Sequence, residues 1–142
     1  MRTMSDEEYR AFMMQGTRTA KVATVSANGL PHVKPVWFVL DGDDLIFTTH
    51  ESYAMTRHLR RDPHIALSID DQEAPYSFVI VEGAVTLSED LDELVRWATM
   101  IGGRYTGADR AEEFGRRNGV PGELLVRITP TKILARADIA GY

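Results

Sequence analysis

Residues 20–40 narrow the fold more than any other stretch, because they read as a hairpin whose second arm is interrupted by prolines. Ala20-Lys21-Val22-Ala23-Thr24-Val25 combines small and β-branched residues, which suits a strand. Asn28-Gly29 follows, the dipeptide that supplies φ > 0 for a tight turn at low cost. The return arm, LPHVKPVWFVL from Leu30 to Leu40, carries Pro31 and Pro35, each without an N–H donor. A strand paired on both sides does not tolerate that. This arm is therefore read as an edge, as bulged, or as partly facing a ligand.

The remaining segments extend the same plan. Asp41-Gly42-Asp43-Asp44 is a turn before the strand Leu45–Thr49, and His64–Asp70 is a further strand. Tyr76–Leu87 reads as a long strand with a bulge at Gly83. Glu123–Ile128 and Lys132–Ala137 read as a last pair or as one bent strand. Ser5-Asp6-Glu7-Glu8 has the form of a capping box for a short helix ending at Gly16. Ser52 caps a helix to Arg61, stopped by Pro63. Asp90 and Glu93 start a helix with Leu91, Leu94, Val95, Ala98 and Ile101 on one stripe, and Ala108–Arg117 is a second helical piece. Six strands at hairpin spacing with short helices predict an antiparallel barrel, in a single domain over 1–142, rather than a stack of βαβ units.

Composition removes several function classes. The acidic balance, 21 carboxylates against 16 Lys and Arg and a net charge of −5, argues against general binding to a nucleic-acid backbone. With no cysteine, thiolate metal sites and a cysteine nucleophile are excluded. The four histidines have no zinc-type spacing, so no metal site is expected. No G-x-S-x-G elbow and no G-x-G-x-x-G after a strand occurs. No apolar run approaches the ~18 residues of a membrane helix, and MRTMSDEEYR lacks the apolar stretch of a signal peptide. The expectation is a cytoplasmic protein that does not engage membranes or nucleic acid. No catalytic side chain stands out, which leaves chemistry carried by a cofactor.

Two stretches can hold such a cofactor. In His32-Val33-Lys34-Pro35-Val36-Trp37-Phe38, a proline-broken backbone leaves polar groups for a heterocycle edge, and Trp37 and Phe38 can wall a flat ring. The competing reading makes Trp37 a core residue and Pro35 a mere edge marker. From Thr48 to Arg61, a strand ending in two hydroxyls runs into a helix N-terminus, a natural anion site. Thr48, Thr49 and Ser52 can donate to phosphate oxygens there, with Arg57 in reach. Alternatively, Ser52 only caps the helix and the arginines only solvate it. Arg57, Arg60 and Arg61 in an acidic chain suit an acidic small ligand better than a nucleic acid.

TAKVATVSANGLPHVKPVWFVLDGDDLIFTTHES, then TRHLRRDPHIALSID, then VEGAVTL, together resemble the pyridoxamine 5'-phosphate oxidase-like split β-barrel proteins. The closer likeness is to the group of flavin/deazaflavin oxidoreductases that use coenzyme F-420. The resemblance spans nearly the whole chain. It implies a mainly β protein with short helices, a six-stranded antiparallel split β-barrel of the FMN-binding type. It further implies a homodimer with two cofactor sites at the interface, and hydride transfer from F-420 to an unsaturated small-molecule substrate. Val33, Lys34, Pro35, Val36 and Trp37 would run beside the ring. Thr48, Thr49 and the helix start at Ser52, Tyr53, Ala54 and Met55 would hold the phosphate, with Arg57 nearby. Tyr76 and Phe78 would approach the site, in reach of the partner's ligand. Such relatives carry basic residues where Tyr53 and Met55 stand here, which disfavours tight FMN phosphate binding. The same resemblance admits FMN as cofactor with oxidase or reductase chemistry, or a non-catalytic barrel that binds a flavin or haem. The catalytic proton donor and the substrate stay unassigned.

Overall fold

In the computed structural model, which describes residues 1–141, the hairpin forms as its turn chemistry requires. Strand β2 (Ala20–Val25) pairs antiparallel with β3 (Pro31–Val36), in register from Ala20↔Val36 to Val25↔Pro31. Gly29 in the turn has φ 79°. The prolines sit where their missing donors do least harm, because β3 is an edge of the sheet.

Eight strands are present among the described residues rather than the expected six. The arm Leu30–Leu40 breaks at Trp37–Phe38 into β3 and β4 (Val39–Asp41), and Arg2–Thr3 adds a short β1 against the end of β8. The last two segments fuse into one strand, β8 (Glu123–Ala137). With β5 (Asp44–His50), β6 (His64–Asp70) and β7 (Phe78–Ser88), the order is β3-β2-β6-β7-β8-β5-β4, antiparallel throughout. Among the described residues no ladder joins β3 to β4, so the expected barrel is not closed by hydrogen bonds. The bulge falls as expected. Glu82 pairs with Lys132 and Gly83 with Pro130, which leaves Thr131 over. A Cβ at Gly83 would stand 2.6 Å from Ile128 Cγ2.

Helix α1 (Asp6–Met14) starts at the capping box, with Glu8 N–H donating to Ser5 Oγ and Ser5 N–H to Glu8 Oε1. Helix α2 (Ala54–Arg61) is capped by position 53, not 52. Helix α3 (Leu91–Thr106) begins with Asp90 accepting from the Asp92 and Glu93 N–H groups. Its buried stripe is Leu94, Trp97, Ala98, Ile101 and Gly102, whereas Leu91 and Val95 face out. A 3-10 turn (Ala108–Arg110) leads to α4 (Ala111–Asn118). No helix of the described residues is long and apolar enough to cross a membrane.

The core has two parts, and β5 explains why. Its alternating side chains send Leu45 and Phe47 to the main cluster, with Val22, Phe38 and Val81. Ile46 points the other way, into a second cluster with Val39, Trp97, Ile101 and Leu125. Covered on both faces, β5 is the wall on which α3 rests.

Candidate functional site

The break at Trp37–Phe38 takes backbone groups out of the sheet, and α3 supplies their partners. Phe38 N–H donates to Tyr105 Oη (3.2 Å), and the Phe38 carbonyl accepts from Arg104 Nη1 (2.6 Å). Arg104 also donates to the Met13 and Gly16 carbonyls, and Tyr105 Oη donates to the Arg18 carbonyl at 2.6 Å. Burial lowers the Arg104 pKa and raises that of Tyr105. Two consecutive residues thus latch the break in place.

The latch positions the indole. Trp37 stacks on Tyr105 with ring centroids 5.0 Å apart and planes 4° apart, yet 42% of its surface stays exposed. Trp37 is therefore not a core residue. Its bare surface faces a cleft of about 360 Å³, walled on one side by Lys34, Pro35, Val36 and Thr48 and on the other by Ala98, Ile101, Gly102, Phe114, Arg117 and Asn118. Close helix contact fixes that second wall. A Cβ at Gly102 would come within 2.4 Å of Phe114 Cβ, and one at Gly115 within 2.0 Å of Thr99 Oγ1. The volume lies at the low end of the range for small-molecule pockets, roughly 300–1,000 Å³. It accommodates a flat ring better than a whole phosphate-bearing molecule.

The strand period separates the two threonines. Thr48 lines the cleft, whereas Thr49 is buried and its hydroxyl lies 3.0 Å from that of Thr56, which donates to the His50 carbonyl. Ser52 does not cap α2. Its hydroxyl lies 2.7 Å from His50 Nδ1, and the cap residue Tyr53 offers no side-chain bond. In the first turn of α2 the Thr56 N–H already donates to the Tyr53 carbonyl at 3.1 Å and Met55 is buried, which leaves the half-buried Ala54 N–H to meet an anion. Met55 points into the core, Ala54 is half-buried, and Arg57 is exposed and donates to the Ser52 carbonyl at 3.0 Å. Lys34 joins the two stretches, its Nζ standing 4.0 Å from the centroid of the Tyr53 ring.

Other expected residues lie apart. Val33 is exposed on the outer side of β3. Tyr76 precedes β7 in a turn, at φ 63°, and Phe78 opens that strand; neither lines the cleft. Beneath β3, His32 and His58 meet edge to face at 5.4 Å, with His58 Nδ1 2.9 Å from Thr24 Oγ1 and His32 Nδ1 buried without a partner. The sequence left the helix pair from Asp90 to Asn118 open between a pocket wall and a dimer edge, and singled out none of the residues that line the far wall. Gly102-Gly103 inside a helical pattern is the one signal of close packing there.

The two cations on the cleft differ in their surroundings, because the Arg117 charge favours the ionised forms of nearby Glu113 and Glu123. Neither Lys34 nor Arg117 has a carboxylate within ion-pair distance among the described residues, although Arg2, Arg10, Arg110 and Arg127 all do. Cations left open beside a bare indole are what an anionic, flat molecule needs.

The sequence profile described as pyridoxamine 5'-phosphate oxidase matches residues 5–137. Among solved structures, a conserved hypothetical protein from Mycobacterium tuberculosis is similar at TM-score 0.85 and 24% identity, covering 95% of this chain and 86% of its own. An F-420 reductase is similar at TM-score 0.69 and 25% identity, over 87% and 94%. The heme storage protein HutZ from Vibrio cholerae is similar at TM-score 0.70 and 17% identity, over 92% and 94%, a likeness of fold alone. No curated protein matches.

Proposed function

Because the chain belongs to the pyridoxamine 5'-phosphate oxidase family, we propose that it is an oxidoreductase that uses coenzyme F-420 to pass a hydride to an unsaturated small organic substrate. The observation that carries this reading is the cleft that brings the bare Trp37 indole together with a Lys34 ammonium that has no carboxylate at ion-pair distance among the described residues. The likeness to an F-420 reductase supports the choice of cofactor.

The residues present fit such a group. Trp37, held by Tyr105, walls a flat ring on one side, and the edge backbone of Val33–Val36 runs beside it. Thr48, the first turn of α2 and Arg57 hold the phosphate. Tyr53 replaces a basic residue common in relatives, yet Lys34 reaches across from β3 and sets a cation over that same ring. The buried Thr49 supports the strand from behind, through Thr56.

When bound, the deazaflavin supplies the hydride. The chain's part is to orient the ring, exclude water from its covered face and keep a charge of the right sign at its tail. In this reading the protein acts as a homodimer, with Tyr76 and Phe78 reaching the partner's ligand. Ile80 and Leu134, cross-strand partners on β7 and β8, are each more than a third exposed, which favours a covered face there.

Titration with F-420, FMN and FAD, followed by tryptophan fluorescence, tests the proposal. Of the two tryptophans only Trp37 is exposed, so contact quenching reports the cleft, and Trp37→Phe should remove that part of the signal. The expected result is saturable quenching at micromolar F-420, with FMN and FAD weaker. Lys34→Ala then weakens F-420 about ten- to a hundredfold, the equivalent of a charged hydrogen bond of roughly 1.5–3 kcal/mol. Absence of saturation with F-420 would refute the proposal. Tighter binding of FMN would assign FMN, and binding without turnover of enones or quinones would assign a carrier.

A further inference from the structure

Resting on the cofactor reading above, we infer that His32 and His58 form a proton-operated catch between the β3 edge and helix α2, which joins the two halves of the cofactor site when neutral and parts them when both rings are charged. Little else holds those halves together. Among the described residues β2 is the one ladder partner of β3. The hydrogen bonds that tie α2 to this hairpin go to β2, from Arg61 to the Val25 carbonyl and between His58 Nδ1 and Thr24 Oγ1 at 2.9 Å. From β3 itself, two ring contacts cross to α2: His32 against His58 at 5.4 Å, edge to face, and Lys34 over Tyr53.

The strand period puts His32 and Lys34 on one face of β3, so a displacement of His32 carries Lys34 with it. His32 Nδ1 is buried without a partner. The neutral ring can keep its hydrogen on Nε2, but the imidazolium must carry one on each nitrogen. Charging His32 therefore buries a donor that nothing accepts. His58 keeps its bond to Thr24 when protonated, but its surroundings oppose the charge. Facing it are Arg57 and Arg61 of its own helix, His32 of β3 and the Thr24 hydroxyl of β2. Neither imidazole has a carboxylate at ion-pair distance among the described residues. The acids closest in sequence are engaged elsewhere, Asp62 with His64 at 2.6 Å and Glu89 with Arg60 at 3.7 Å. Burial and the neighbouring charges hold the His58 pKa below its ordinary value. The joined seam thus binds fewer protons than the parted one. A cofactor that needs both halves binds the joined form, so its affinity falls in mild acid.

Two measurements at about pH 7.5 and 5.5 test this: F-420 titration, and amide hydrogen exchange of the ligand-free chain. The comparison is with His32→Phe/His58→Gln, which keeps a ring at position 32 and places no charge at either site. The expected loss of F-420 affinity in acid is about fivefold greater in the wild type than in the variant, a difference that removes titration of the ligand itself. The β3 amides should also lose protection in acid relative to those of β8, in the wild type and not in the variant. Circular dichroism at both pH values checks that each chain is folded, and His32→Phe alone serves if the double variant is not. The same pH dependence in wild type and variant overturns the inference. So does a wild-type affinity that gains on the variant in acid, as if the imidazoliums merely joined the cations of the site. Unchanged protection of β3 overturns it without any ligand. If F-420 binds at neither pH while β3 still loosens in acid through these histidines, the cofactor reading fails and the catch stands.

Discussion

Tyr105 illustrates how much one side chain can settle. Its ring backs Trp37 while its hydroxyl meets the Phe38 N–H and the Arg18 carbonyl. Tyr105→Phe keeps the stack and orphans both backbone groups, each costing about 1–3 kcal/mol if it stays dry. A thermal melt should show the loss, with F-420 affinity falling less than in Tyr105→Ala. His58 gives a pH signature. Burial, then the neighbouring His32, Arg61 and Arg57, hold its imidazole below the ordinary 6.5. The unfolded chain therefore takes up the proton first as pH falls. Stability is full above about pH 6.5 and declines as pH drops through that value toward the lower folded pKa. Melting temperatures between about pH 7.5 and 5 should fall in the wild type and fall less in His58→Gln. Lys34, Trp37 and Thr48, singled out in the sequence from two separate stretches, line one cleft of the fold. The separation of Thr48 from Thr49 follows from the strand's period of two. The buried Met55 does not, because helix α2 starts one residue later than a cap at Ser52 suggested.

At the scale of elements, the proline-broken arm and the α3–α4 pair together make the cleft. The edge position of β3 was readable from Pro31 and Pro35, as were the Asn28-Gly29 turn, the capping box and the bulge at Gly83. The split of that arm into β3 and β4 was not. It depends on Arg104 and Tyr105, some 66 residues onward from Phe38, supplying bonds that the sheet does not. Such long-range partners leave no local mark. The buried stripe of α3 shifted for a related reason. Both helix faces offered apolar residues, and docking on Ile46 and Leu125 selected the one with Trp97. Gly102→Ala tests the packing directly, since the added methyl meets Phe114 at 2.4 Å. Overpacking of this kind costs about 1–3 kcal/mol, read as a lower denaturation midpoint. By moving Phe114 it should also change the response of Trp37 to ligands.

For the molecule as a whole, charge and exposure are unevenly spread. A chain of net charge −5 sets Lys34 and Arg117 on one cleft with no salt bridge to either among the described residues, while β7 and β8 expose Ile80 and Leu134. Raising salt should weaken F-420 binding, because exposed cations are screened within about 10 Å at 0.1 M; a salt series of the fluorescence titration measures the slope. Sedimentation should give about twice the 15.9 kDa of one chain, and an aspartate at position 80 should shift it toward the monomer. The site was only half legible in the sequence: the strand side was written in prolines and hydroxyls, and the helix side arose from packing. A crystal structure with F-420 bound tests the account most directly. It predicts the deazaflavin ring against Trp37 and the β3 edge, with the phosphate between Lys34, Thr48 and the first turn of α2. A ring seated away from Trp37, with Lys34 and Thr48 free of the phosphate, would contradict it.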